Sequence, residues 1–119
     1  MIIFVLAAAL GAIIRYLANL YLPRRGILLA NIAGSFIAGS VLTLATTFAI
    51  NNVVFEAVFG GFAGSLTTYS TVAVTAAEQH INSTGNATKI WISQVGLSIT
   101  AYLAGITVTR IMLVLYNYV

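Results

Sequence analysis

Apolar residues run through this chain in four long blocks separated by short polar breaks. The first block covers residues 2–22, and the chain opens MIIFVLAAALGAI. No basic residue precedes this stretch and Arg15 falls inside it, so the pattern predicts a first membrane helix of the mature chain and not a signal-peptide core. Pro23, Arg24, Arg25 and Gly26 form a tight polar turn. The second block, residues 27–50, carries ANIAGSFIAGSVLT. Its Gly34, Ser35, Gly39 and Ser40 place small residues on neighbouring turns, where another helix can approach closely. Asn51-Asn52 makes the next turn. The third block, residues 53–77, contains Gly60, Gly61 and Gly64, then Thr67, Thr68, Ser70 and Thr71. Glycine weakens helix continuity and the hydroxyls compete for local backbone groups. The pattern therefore predicts a third helix broken within the membrane, which lipid tolerates only where the break is buried in protein or lines a wet cavity. Residues 78–89, EQHINSTGNATK, are the one polar stretch. The fourth block, residues 90–116, repeats Gln94, Ser98 and Tyr102 at intervals of one helical turn, along one face.

Composition narrows this to a membrane protein. Of 119 residues, 61% are hydrophobic and 6% charged, whereas soluble domains run at about a quarter charged. The mean hydropathy is +1.04. A membrane helix takes roughly 20 apolar residues, so four take about 80 and leave only short connections. The reading is an all-α chain forming a single four-helix transmembrane domain over residues 1–119, with no room for a soluble catalytic domain. The absence of cysteine excludes disulfide and thiol chemistry. One histidine and two carboxylates argue against a side-chain metal site or an acid–base pair, and so against an enzyme. The net charge of +3 is scattered among apolar neighbours, which is a membrane-loop pattern and not a nucleic-acid patch. Arg24, Arg25 and Lys89 lie in the first and third loops and Arg110 near the other end, which by the positive-inside rule places those two loops in the cytoplasm.

Two polar positions inside the spans admit two readings each. Arg15 either snorkels to the headgroups or presents a positive charge that draws anions into an aqueous mouth. Asn31 either bonds helix to helix or supplies an amide donor to a polar pathway. Glu56, Glu78 and His80 fall near predicted membrane ends and read as solvated. The sequons Asn82-Ser83-Thr84 and Asn86-Ala87-Thr88 matter only in a secretory pathway. Taken together, the spans hold many neutral hydrogen-bond donors and almost no acids. Neutral donors suit a small, strongly hydrated anion, whose lost water bonds they replace without trapping it. Backbone carbonyls freed at a helix break suit a cation instead.

Three motifs then resemble the Fluc (CrcB) fluoride channels, in order and along essentially the whole chain. The first is Gly11-Ala12-Ile13-Ile14-Arg15-Tyr16, similar to the family's glycine–arginine–aromatic first helix. The second is Gly26 followed by Asn31-Ile32-Ala33-Gly34-Ser35-Phe36. The third and most specific is Gly61-Phe62-Ala63-Gly64-Ser65-Leu66-Thr67-Thr68-Tyr69-Ser70-Thr71. The resemblance implies an antiparallel, dual-topology dimer in the cell (inner) membrane, with two fluoride pores. It implies a central structural sodium ion on backbone carbonyls, which by position are those of Gly64 and Thr67. It places the pore asparagine at Asn31 and the two pore phenylalanines at Tyr69 and Val72. Ser70 and Thr71 match the motif's hydroxyls, Gln94 and Ser98 the polar track of the fourth helix, and Arg15 the arginine of the first.

Two departures stand out. Tyr69 keeps an aromatic edge that can face an anion, but Val72 keeps no ring, and Gln94 replaces the family's fourth-helix tyrosine. A non-conducting or half-pore subunit of a heterodimeric channel is therefore a competing expectation. A small four-helix drug or cation transporter is a weaker one, because that chemistry needs a membrane-embedded carboxylate and the first span offers only Arg15.

Overall fold

The computed structural model describes every residue except Arg24 and Thr84. The Arg24 contribution to the charge asymmetry and the Thr84 end of the first sequon lie outside the described residues. Helix α1 is Ile2–Tyr21 and α2 is Gly26–Phe48. The third passage, α3, covers residues 52–66 as one continuous coil of three parts: Asn52–Phe55 is α-helical, Glu56–Ala63 is π-helical, and Gly64–Leu66 is α-helical again. Thr67 is extended (φ −82°, ψ 152°), and helix resumes as α4, Ser70–Ile81. The chain ends in α5, Ala87–Tyr118. No strand occurs among the described residues.

Local chemistry sets the element ends. Asn51 Oδ1 accepts from Val53 N–H at 2.8 Å and starts α3. Asn86 Oδ1 accepts from Lys89 N–H at 3.1 Å and starts α5. Both satisfy amides that the first helical turn leaves without partners. Between α1 and α2 the carbonyl of Leu22 accepts from Arg25 N–H and Gly26 N–H at 3.1 and 2.6 Å. A Cβ at Gly26 would run into the Ala18 carbonyl, so only glycine allows a turn this tight. The π-helical turn was not foreseen from the glycines. It holds Gly60 and Gly61, where α1 approaches α3 closely: a Cβ at Gly61 would sit 2.9 Å from the Phe4 carbonyl. The Gly64 N–H reaches back to Phe59 O, the longer spacing that defines a π turn.

Helices α1, α2 and α5 are long and apolar enough to cross a membrane. The expected third span is not a single helix of that length but α3 and α4 joined at residues 67–69. The most extensive packing is between α2 and α5, followed by α1 against the π-helical part of α3. Contact is by close backbone approach. A Cβ on Gly39 would strike the Tyr102 carbonyl, and one on Gly105 would strike the Phe36 carbonyl.

The buried apolar residues are few and mostly small: Ala30, Ala57, Ala63, Leu66, Val72 and Ala101. Large apolar side chains such as Ile2, Leu10, Ile13, Ile92, Leu103 and Ile111 stand exposed instead. A surface of this kind is intolerable in water and ordinary in hydrocarbon. The protein is a multi-pass membrane protein. On α5, the rise from Trp91 to Arg110 is about 28 Å at 1.5 Å per residue, close to the hydrocarbon thickness. The remaining turns, with Tyr116 and Tyr118, project beyond.

Candidate functional site

The polar residues of α2, the α3–α4 interruption and α5 meet at one place. Asn31, only 6% exposed, reaches from α2 to the extended backbone. Its Oδ1 accepts from Thr68 N–H at 2.7 Å and its Nδ2 donates to Thr68 O at 3.1 Å, so the carboxamide pairs with Thr68 as a peptide group of a neighbouring strand would. The same Nδ2 donates to Gln94 Oε1 on α5 at 3.2 Å. In an unbroken helix Thr68 N–H would bond to Gly64 O, and Thr71 N–H to Thr67 O. Here Thr68 N–H is taken by Asn31, and Thr71 N–H points at Thr68 Oγ1, 3.5 Å away. The carbonyls of Gly64 and Thr67 are thereby released from helical bonding. Gly64 O accepts the Thr67 hydroxyl at 3.3 Å, and Thr67 O accepts weakly from Arg15 Nη1 at 3.4 Å. Arg15 Nη1 donates at 2.9 Å to a third such carbonyl, that of Ser65. The guanidinium, projecting from α1, caps the C-terminal end of α3, where the helix dipole is negative.

An open cavity of about 410 Å³ lies against this arrangement. Asn31, Tyr69, Val72, Gln94 and Ser98 line it, together with Gly64 and Thr67. A second groove, of about 380 Å³, continues it along α2 and α5 past Ser35 and Ser98 to Tyr102. A smaller space of about 90 Å³ lies on the other side of Val72 and Gln94, lined also by Asn19, Thr71 and Thr75. Val72, 3% exposed, and Gln94 thus line both spaces.

Not every residue singled out in the sequence lines the main cavity. Ser70 is exposed, and its hydroxyl lies 3.2 Å from that of Thr68. Thr71 faces the smaller space, and Arg15 lies behind the interruption. Glu56, Glu78 and His80 are exposed. Sequence reasoning passed over Thr68, whose main chain is the partner of Asn31. It also missed Trp91, whose Nε1 donates to Tyr69 Oη at 3.0 Å. Trp91 precedes Gln94 by one helical turn, so the periodicity that groups Gln94, Ser98 and Tyr102 reaches it too. Trp91 is the sole tryptophan, and Tyr69→Phe removes its acceptor. Its fluorescence is expected to move to shorter wavelength in that variant, with little change in stability because the bond is exposed.

The described residues form an all-helical, multi-pass membrane protein whose polar groups gather at one helix interruption. The family model for CrcB-like protein, Camphor Resistance (CrcB), matches residues 2–106, nearly the whole chain. The chain belongs to the CrcB family, a family of channels and not of enzymes. No curated protein matches it.

Proposed function

We propose that this protein is a fluoride-selective channel that lets fluoride leave the cell passively across the inner membrane. The observation that carries the reading is the cavity bounded by Asn31, Tyr69, Gln94 and Ser98, rich in neutral polar groups and without a carboxylate, in a member of the CrcB family. A strongly hydrated anion gives up water only where donors replace it, and fixed acids would repel it. The route runs past Asn31, Tyr69, Val72, Gln94 and Ser98, with Ser70 and Thr71 at its α4 side and Arg15 supplying positive potential from behind.

The working unit is an antiparallel dimer of dual topology with two pores. The main cavity is open on one side in the single chain, and a second copy closes it. Gly64 O and Thr67 O suit a sodium ion at the centre of that dimer. Both have lost their helical partners, each accepts one side-chain bond, and a carbonyl oxygen has two lone pairs. Hard oxygen donors match an alkali cation, and two from each subunit supply a coordination shell that one chain lacks. The nearby Arg15 charge works against the cation and makes the site dependent on all four carbonyls. Sodium there would neutralise orphan backbone groups that lipid cannot solvate.

Liposomes loaded with potassium fluoride and containing only the purified chain are expected to release fluoride when a potassium ionophore dissipates the voltage, and to hold it otherwise. Equal release without the ionophore would mean coupled exchange. A second reading, a half-pore subunit of a heterodimer, is favoured by the buried aliphatic Val72 at a phenylalanine position of the resemblance. It requires silence from the pure chain and restored release on pairing with a homologous subunit.

A further inference from the structure

The turn that joins α1 to α2 carries an open cavity of about 270 Å³, lined by Tyr21, Leu22, Pro23 and Arg25. None of these residues lines the 410 Å³ cavity, and only Pro23 also faces the 90 Å³ space. The wall is mostly apolar, from a phenol ring, a leucine and a proline, with one guanidinium and no carboxylate. The turn is fixed by its own backbone. Leu22 N–H donates to Ala18 O at 2.9 Å, and Leu22 O accepts from Arg25 N–H and Gly26 N–H. Arg25 therefore meets the cavity from a rigid support.

Position decides what such a cavity can hold. It lies between two helices that are each long and apolar enough to cross the membrane, so it opens at a membrane surface. Helix α5 begins on the same surface: Pro23 and Ile90 line one small space, and Lys89 precedes Ile90. At such a surface hydrocarbon gives way to phosphate headgroups. A free phosphate would use the guanidinium alone and leave the apolar wall idle. A phospholipid uses both, since its phosphate meets the planar fork of arginine and its glycerol and first acyl carbons meet the wall. With no acid in the lining, the lone positive charge favours an anionic headgroup over a zwitterionic one.

We infer that the cavity at the α1–α2 turn is a seat for one anionic phospholipid, held by Arg25 at its phosphate and by Tyr21, Leu22 and Pro23 along its glycerol end. The inference stands whether or not the chain conducts fluoride. A snorkelling arginine attracts any anionic lipid and holds none in place. A seat holds one, and its shape matters as much as its charge.

Native mass spectrometry of the purified full-length protein, released from an uncharged detergent, counts the lipids bound. Phosphatidylglycerol is titrated against phosphatidylcholine of the same acyl chains in about 0.15 M ammonium acetate, with glycerol phosphate as a soluble competitor. Phosphatidylglycerol is expected to be retained about tenfold more strongly, one per chain, and glycerol phosphate is expected not to displace it. Arg25→Gln is expected to weaken retention about tenfold. Lys89→Gln removes the same charge outside the cavity, and its effect is expected to stay below about twofold because salt screens it. Leu22→Trp keeps every charge and fills the cavity, with an expected loss comparable to that of Arg25→Gln. Should Leu22→Trp not run as a monodisperse species on size exclusion, Tyr21→Ala takes its place. That variant removes an exposed ring from the wall, for a loss of about threefold. Equal retention of the two lipids, or equal losses at Arg25 and Lys89, overturns the seat in favour of general charge attraction. Displacement by glycerol phosphate overturns the lipid as occupant. Full retention in the wall variant overturns the cavity as the place of binding.

Discussion

Gly105→Ala is expected to cost the fold, while Gly96→Ala on the same helix is expected to stabilise it. A single methyl group is added in each case. At Gly105 it would occupy the position of the Phe36 carbonyl, with Ser40 N only 3.1 Å away. Those are backbone atoms of α2 and cannot rotate aside. The reciprocal contact, Gly39 against the Tyr102 carbonyl, binds the same helix pair, so relief at one point strains the other. Separating α2 from α5 would also part Asn31 from Gln94 and Ser40 Oγ from the Gly105 carbonyl. Overpacking of this kind costs about 3 kcal/mol or more. At Gly96 nothing lies within 4 Å, and alanine gains about 1 kcal/mol of helix propensity. Thermal unfolding in detergent, followed by the size-exclusion profile, checks both. A folded, monodisperse Gly105→Ala protein would show that α2 and α5 pack more loosely than their glycines require.

The same helix pair shows what the sequence made legible. The small residues of the second block announced close approach of a neighbour, because the absence of side chains is a local property. The neighbour itself was not announced. That α5 supplies Gly105 opposite Phe36, or that α1 supplies Gly11 opposite Phe62, depends on which helices meet. The first, second and fourth apolar blocks match α1, α2 and α5 to within a few residues, since apolar run length is set by bilayer thickness. The start of α5 lies earlier than the apolar run because Asn86 caps it from within the polar stretch. The π-helical turn was hidden: Gly60 and Gly61 read as weak helix, and the close approach of α1 beside them is a contact between residues distant in sequence. At the candidate site, periodicity placed Gln94 and Ser98 on one face. It had no means of showing that Asn31 would pair with the main chain of Thr68, because that bond joins residues distant in sequence across an irregular segment.

Arg15 is expected to act on fluoride release by its charge and on the fold by its geometry, and three substitutions separate the two. The guanidinium is half-buried and spans the carbonyls of Ser65 and Thr67, at 2.9 and 3.4 Å. Arg15→Leu removes charge and donors together, leaving the Ser65 carbonyl without its partner at a cost of about 1–3 kcal/mol. Arg15→Gln retains an N–H donor on a shorter arm but no charge. Arg15→Lys retains the charge and three N–H donors, but on a slightly shorter arm whose ammonium sits less close to the two carbonyls that Arg15 Nη1 reaches. If the positive potential behind the interruption helps an anion enter a low-dielectric path, release falls about tenfold in both Gln and Leu variants and only modestly in Lys. Stability then follows a different order, with Leu lowest and Gln and Lys between it and the wild type. Added salt is a further check on the charge effect. The charge is half-buried behind the interruption, so salt screens it weakly, and the gap between wild type and the Gln variant is expected to persist at higher ionic strength. Release that tracks stability across all three variants, with no separate dependence on charge, would reduce Arg15 to a cap on the α3 carbonyls.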